Sequence, residues 1–175
     1  GKVFQQSRSF PNVKTLMEKP VIIELDSMGI DNLCFFVFCL LSQMDRYIKN
    51  RPPHSPLRHV TIIEEAHNVV KRQKGGSENG NKSKEFAAEH VIKMLSEYRS
   101  LGEGIVIIDQ HPITIEAEVT KNTGTKLTLR LTPEEDRKDI AGSMLLNPQQ
   151  TLELARLKKG EGFLYSEDYH DPRRV

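Results

Sequence analysis

The chain lacks any apolar run long enough to cross a bilayer: its longest, Leu33 to Leu41, is about half of what a span requires. It also lacks an excess of either charge. The 25 basic residues face 24 acidic ones, so bulk electrostatics offer no attraction to a nucleic acid, and only a local patch would supply one. Cysteine is scarce. Cys34 and Cys39 lie inside the apolar run without CxxC or Cys/His spacing. That argues against a zinc site and reads as two buried small hydrophobes of an intracellular, cytoplasmic protein. No basic stretch leads into an apolar core and cleavage site at the amino terminus, which begins Gly1-Lys2-Val3-Phe4 in mid-stream, as at a boundary within a larger protein. There is no repeat at solenoid or propeller period.

What is present is a balance of 37% hydrophobic and 28% charged residues over 175 positions, the composition of one soluble domain with one core, residues 1–175. Pro20-Val-Ile-Ile-Glu-Leu-Asp26 is β-branched and ends in Asp-Ser-Met-Gly, which predicts a buried strand running into a turn. Apolar positions at helical spacing predict a helix over 31–49, capped by Asp31 and stopped by Arg51-Pro-Pro. The unit then repeats. His59-Val-Thr-Ile-Ile63 reads as a strand ending in Glu64-Glu65-Ala66-His67. Lys84 to Leu101 carries Phe86, Ala87, His90, Val91, Met94, Leu95 and Tyr98 on one helical face. Between them, residues 71–83 hold three glycines and no apolar residue, which predicts a mobile surface loop.

Gly104-Ile-Val-Ile-Ile108 is the most apolar strand and runs into Asp109-Gln110-His111-Pro112. Lys126 to Leu131 alternates like a strand, Pro133-Glu-Glu-Asp opens a helix, Pro148 to Leu157 reads as a short helix, and Gly162-Phe-Leu-Tyr165 as a last strand. Strands alternating with helices, several of them near-continuously apolar, predict an α/β fold whose parallel sheet is covered on both faces.

Ligands of open α/β sheets bind at the carboxyl ends of the strands. Three predicted strands end there in polar clusters: Asp26, then Glu64-Glu65-Ala66-His67, then Asp109-Gln110-His111. Acids and amides also end strands simply because they make good turns, and Asp26 needs no more than that. Paired carboxylates straight after an apolar strand suit phosphoryl transfer. One holds the hydration shell of a magnesium ion, the next polarises the attacking water, and an amide on the neighbouring strand senses the γ-phosphate or orients that water.

In order and spacing, Val60-Thr-Ile-Ile-Glu-Glu-Ala-His-Asn68, Leu95-Ser-Glu-Tyr-Arg-Ser-Leu-Gly-Glu-Gly-Ile-Val-Ile-Ile-Asp-Gln-His-Pro112, Leu129-Arg-Leu131 and Gly160-Glu-Gly-Phe-Leu164 resemble the HerA/FtsK-type P-loop ATPases, and with them the ATPases of conjugative type IV secretion. The resemblance runs over residues 57 to 166. It implies a RecA-like three-layer sandwich with a mainly parallel sheet, a hexameric ring, ATP and Mg as cofactors, and DNA and the other subunits of the ring as partners. It gives Glu64 the magnesium-side acid position, where the family has Asp, and Glu65 the catalytic base. Gln110 becomes the polar sensor, and Arg99 the arginine inserted into the neighbouring subunit's nucleotide site, with Arg130 as its substitute. His67 and His111 are expected to tune or pack the site, since magnesium prefers oxygen.

One part is missing. No Gly-x-x-x-x-Gly-Lys-[Ser/Thr] occurs, so there is no backbone cradle for phosphates and no lysine to offset their charge. The chain by itself is expected to be inactive, as the carboxy-terminal part of a motor domain whose P-loop strand is absent and leaves an interior gap beside the sensor strand. Two rivals stand. One is a metal-dependent hydrolase or nuclease using Glu65, His67, Asp109 and His111. The other is a non-catalytic assembly domain.

Overall fold

Helices in this chain form where apolar residues recur every three or four positions. In the computed structural model, which describes residues 12–52, 56–71, 82–169 and 171–175, α2 (Ile30–Lys49) buries Cys34, Val37, Leu41, Met44 and Ile48 along one stripe. Its cap is Gly29 rather than Asp31, which lies in the first turn, where a carboxylate favours the helix dipole. Ahead of it, the short α1 (Val13–Glu18) is capped by the Asn12 side chain, which accepts from the Thr15 N–H at 2.9 Å. The second long helix, α3 (Lys82–Glu97), continues into a 3-10 turn over Tyr98–Leu101. Its buried face is Ala87, Val91 and Met94, with Tyr98 completing the stripe. Each such Val or Leu burial contributes roughly 1.5–3 kcal/mol, and α2 and α3 pack directly on each other.

Beneath this helix pair lies a parallel sheet of two strands, β1 (His59–Glu64) and β2 (Glu103–Ile108), in the register His59↔Glu103 to Glu64↔Ile108. Ile63, Ile105 and Ile107 face the helices and join the main core with Ala66, Val69, Val70, Ile115 and Val119. The opposite face carries Val60, Ile62, Val106 and Ile108, all exposed. Among the described residues, therefore, helices cover only one face of β1 and β2. The apolar composition that predicted cover on both faces is met on one.

Pro20–Asp26 forms no strand, contrary to expectation. It belongs to no regular element and leads to a turn in which Leu25 C=O accepts from Met28 N–H at 3.1 Å, and Ile22 is 89% exposed. β-Branched propensity favours a pleated surface only when a partner strand is in place, and no ladder forms here.

The carboxy-terminal third makes a second, antiparallel sheet. β3 (Thr125–Thr128) pairs with β4 (Phe163–Ser166), and β4 with β5 (Arg173–Arg174). β3 stops at Thr128 instead of reaching Leu131, because β4 offers only four residues and the chain then turns so that Leu131 N–H bonds Leu154 C=O. α4 (Ala117–Asn122) precedes β3. α5 (Glu134–Met144) and α6 (Pro148–Glu153) fill the connection to β4, around a small core of Met144, Leu154, Leu157 and Phe163. α6 carries a capping box between Asn147 and Gln150. β2 and β3 are not paired with each other, so the interior gap expected beside the sensor strand stays open among the described residues. Of the predicted loop over 71–83, residues 72–81 lie outside the described residues. Lys71 makes an antiparallel bridge with Ile115, and α3 already includes 82 and 83.

Candidate functional site

Parallel pairing brings the carboxyl ends of β1 and β2 side by side, and the polar groups collect there. After Glu64 the chain must place Ala66 in the core, where it is fully buried, within a single tight turn. The 3-10 turn Ala66–Asn68 achieves this, with Asn68 N–H on Glu65 C=O and both Val69 and Val70 N–H on Ala66 C=O. Glu65, at the entry to that turn, adopts a left-handed backbone with φ 50 and ψ 48. That conformation costs a non-glycine residue about 1–2 kcal/mol. The other described non-glycine residue of positive φ is Leu145, which only ends α5. From the helix side, Cys34 Sγ–H reaches Asn68 C=O at 3.3 Å, and burial raises the thiol's pKa from its ordinary value.

Asp109, just past β2, ties the two strand ends together. Its Oδ2 accepts from His67 N–H and faces His67 Nδ1, both at 2.8 Å, while its Oδ1 accepts from His111 N–H at 2.8 Å. Its side chain is only 6% exposed. Next to it, Gln110 Nε2–H donates to Glu65 Oε1 at 2.7 Å. The second Glu65 oxygen lies 3.5 Å from His67 Nδ1. Four of the sequence-predicted residues, Glu65, His67, Asp109 and Gln110, thus form one connected network. Glu64 stands beside it on the open face of β1, opposite Ile108 in the ladder, with its side chain exposed.

The structure does not bring every candidate here. His111 points away, its Nδ1 3.9 Å from buried Asp136, whose other oxygen accepts from Ile113 N–H at 3.3 Å. Asp26 ends no strand and lies in a turn. Arg99 is exposed in the 3-10 turn that precedes β2, at the opposite end of the sheet, beside a cavity of about 300 Å³ also lined by Glu103, Thr125, Ser166 and Asp168. Arg130 is exposed beyond the end of β3. Two contributions had no signal in the sequence: the grip of Asp109 on the turn after β1, and the Cys34 contact with Asn68.

Solved structures with the same architecture have known ligands. The genome packaging NTPase B204 from Sulfolobus turreted icosahedral virus 2, in complex with ATP-gammaS, matches at a TM-score of 0.64 and 14% identity, over 94% of this chain and 71% of that one. The fold is that of a P-loop NTPase. B204 in complex with AMPPCP gives 0.62 and 14% over 93% and 71%, and B204, the DNA-packaging ATPase from Sulfolobus Turreted Icosahedral Virus, gives 0.60 and 14% over 97% and 77%. Such identities carry the P-loop NTPase fold and not the residues of a site. No family profile and no curated protein sequence matches the chain. No described helix is long and apolar enough to cross a membrane.

Proposed function

We propose that this chain is the carboxy-terminal portion of an ATP-hydrolysing motor domain of the HerA/FtsK type, working on DNA in a ring of identical subunits. The observation that carries the reading is the 2.7 Å bond between Gln110, at the end of one parallel strand, and Glu65, at the end of its neighbour. A carboxylate and an amide that meet at adjoining strand ends are the pair that a water attacking a γ-phosphate would use. Glu65 takes up the proton of that water, and Gln110 orients it. An exposed carboxylate at Glu64 fits a hydrated magnesium ion held through water. The metal would supply charge neutralisation between the phosphates. The phosphate cradle has no counterpart among these 175 residues, so turnover belongs to a polypeptide that adds a phosphate-binding loop to them.

Arg99 supports a shared site. β2 advances about 17 Å between Glu103 and Ile108 at 3.3 Å per residue, and Arg99 lies before it, well beyond the reach of an arginine side chain from Glu65. An arginine there serves a neighbouring subunit or none. Subunits of the loop-bearing protein carrying only Glu65→Ala, mixed with subunits carrying only Arg99→Ala, are expected to recover part of the activity lost by either alone, where removal of an arginine finger costs about a thousandfold. No recovery, or wild-type turnover by Arg99→Ala, removes the finger and leaves Arg130 to test. The 175-residue chain itself is expected to bind ATP weakly or not at all by isothermal titration. Micromolar binding with magnesium-dependent turnover would overturn the argument from the absent loop.

A second reading has its own observation: Glu65, His67 and Asp109 offer ligand atoms within 4.8 Å of one another. A His and two carboxylates suit a transition metal of a hydrolase. His111 is not part of the group. Stoichiometric metal at these three residues, with activity indifferent to nucleotide, would favour it.

A further inference from the structure

We propose that Asp109 and His67 are positioning residues that hold Glu65 and Gln110 in register across the two strand ends. The inference rests on the catalytic reading of Glu65 and adds two residues that reading does not use. A carboxylate only accepts hydrogen bonds, so the three N–H groups converging on Asp109 at 2.8 Å are all donors to it: His67 backbone, His67 Nδ1 and His111 backbone. Hydrogen bonds to a charged acceptor are the strong ones, and here one nearly buried carboxylate holds the turn after β1 on Oδ2 and the turn after β2 on Oδ1.

This fixes the imidazole. Its Nδ1 carries the proton toward Asp109, and the ring cannot rotate without giving up that bond. It also fixes the peptide two residues beyond Glu65. A left-handed residue relaxes to the ordinary β or helical region unless its neighbours hold it. On one side of Glu65 is the β1 ladder, and on the other are the buried Ala66 and the clamped His67. Without the clamp, Glu65 is held only by the burial of Ala66 and the backbone bonds of the 3-10 turn, which leave its side chain without a fixed direction, and Gln110, attached directly to Asp109, loses its partner. Aspartate at 109 is specific to this arrangement. In asparagine, the amide NH2 would face either the His67 donors or the His111 N–H, donor against donor, at unchanged volume.

The test uses the 175-residue chain and NMR. In the wild type, the His67 amide is expected to exchange slowly, ring 15N shifts to report the Nδ1–H tautomer, and the Gln110 side-chain amide to show a cross-peak to Glu65. Asp109→Asn is expected to lose all three while the β1 and β2 amides stay protected. His67→Ala is expected to lose the Gln110–Glu65 cross-peak, and His67→Asn, which keeps an N–H near the Nδ1 position, to restore it. A rapidly exchanging His67 amide in the wild type, an Nε2–H tautomer, or a Gln110–Glu65 cross-peak that survives His67→Ala overturns the proposal. In the loop-bearing protein, His67→Ala is expected to lower kcat at least tenfold with KM for ATP unchanged, and His67→Asn to recover most of it. If Glu65→Gln abolishes turnover while His67→Ala leaves it intact, the positioning role is wrong. If Glu65→Gln retains turnover, the catalytic reading of Glu65 fails and the NMR result alone decides whether the clamp exists.

Discussion

Replacing Glu103 by Ala is expected to be among the most damaging single changes in this chain, although the residue lies at the opposite end of the sheet from the candidate site. Its side chain is 1% exposed and carries two partners: Arg51, from the loop after α2, and His59 Nδ1, from the start of β1, at 2.9 Å. Glu103 itself opens β2, so one carboxylate joins the helix layer to both parallel strands. Removing one partner of a buried ion pair costs roughly 3–5 kcal/mol, because the remaining charge stays desolvated. Arg51 and His59 keep 16% and 18% of their side-chain surface in water, and the Arg51 guanidinium lies 5.3 Å from the Tyr47 ring, so both regain some compensation. The expected loss is therefore about 3 kcal/mol. With a urea m-value of about 2 kcal/mol/M, that moves the unfolding midpoint down by about 1.5 M, read by far-UV circular dichroism with a second probe to check that the transition is two-state. Combining Glu103→Leu with Arg51→Met is expected to restore much of the loss, since an apolar replacement of both partners leaves no buried charge. A midpoint shift below about 0.3 M for Glu103→Ala, which is about 0.6 kcal/mol at that m-value, would show that the cluster is solvated and that the strand starts are held by packing alone.

Three further outcomes follow from particular atoms. A Cβ on Gly162 would lie 2.8 Å from Thr128 C=O and close to Leu127 and Leu129, so Gly162→Ala is expected to cost about 1–3 kcal/mol in urea unfolding and to speed amide exchange across β3 and β4; wild-type exchange there would refute the contact. Burial holds the His90 imidazole below its ordinary pKa, against an opposing pull from Asp45. The unfolded chain then takes up that proton at higher pH than the folded one, so stability is lost as pH falls from about 6.5; His90→Leu is expected to flatten this decline, and parallel wild-type and mutant profiles would exclude His90 as its source. Asn147→Ala removes the half of the α6 capping box in which Asn147 Oδ1 accepts from Gln150 N–H, while the backbone N–H of residue 147 can still donate to Gln150 Oε1; it is expected to cost about 1 kcal/mol in the same unfolding assay, a loss that Asn147→Ser should largely avoid.

The elements legible in the sequence were those whose signal is local. The three-four spacing of Val37, Leu41, Met44 and Ile48 is a property of one segment, and it survives in the structure as one buried stripe. The strands at 59–64 and 103–108 are legible because each is apolar, short and bounded by polar residues. Val21-Ile-Ile has a similar composition and is not a strand, because a ladder needs a second chain segment and composition does not supply one. β5 was missed for the opposite reason. Arg173 and Arg174 have little strand propensity, yet they pair with Leu164 and Phe163 because Gly162 and Val175 exchange backbone bonds at 2.9 Å beside them.

The site divides along the same line. That Glu64, Glu65 and Gln110 would approach one another followed from their positions at the ends of apolar strands, since two neighbouring parallel strands deliver their carboxyl ends to one edge. Which side chain touches which did not follow. Asp109 read as one more polar residue ending a strand, or as a metal ligand, because the sequence does not record that the turn after β1 presents a backbone N–H and an imidazole to it while its own turn presents the His111 N–H. The left-handed backbone of Glu65 was also unreadable, since Glu has no preference for it. It arises because Ala66 must enter the core one residue after the strand ends. A glycine at 65 would satisfy that turn with less strain but would bring no carboxylate to Gln110. Glu65 thus carries a carboxylate at a position whose backbone favours Gly, and a carboxylate there is what the role proposed for Glu65 needs and the turn itself does not.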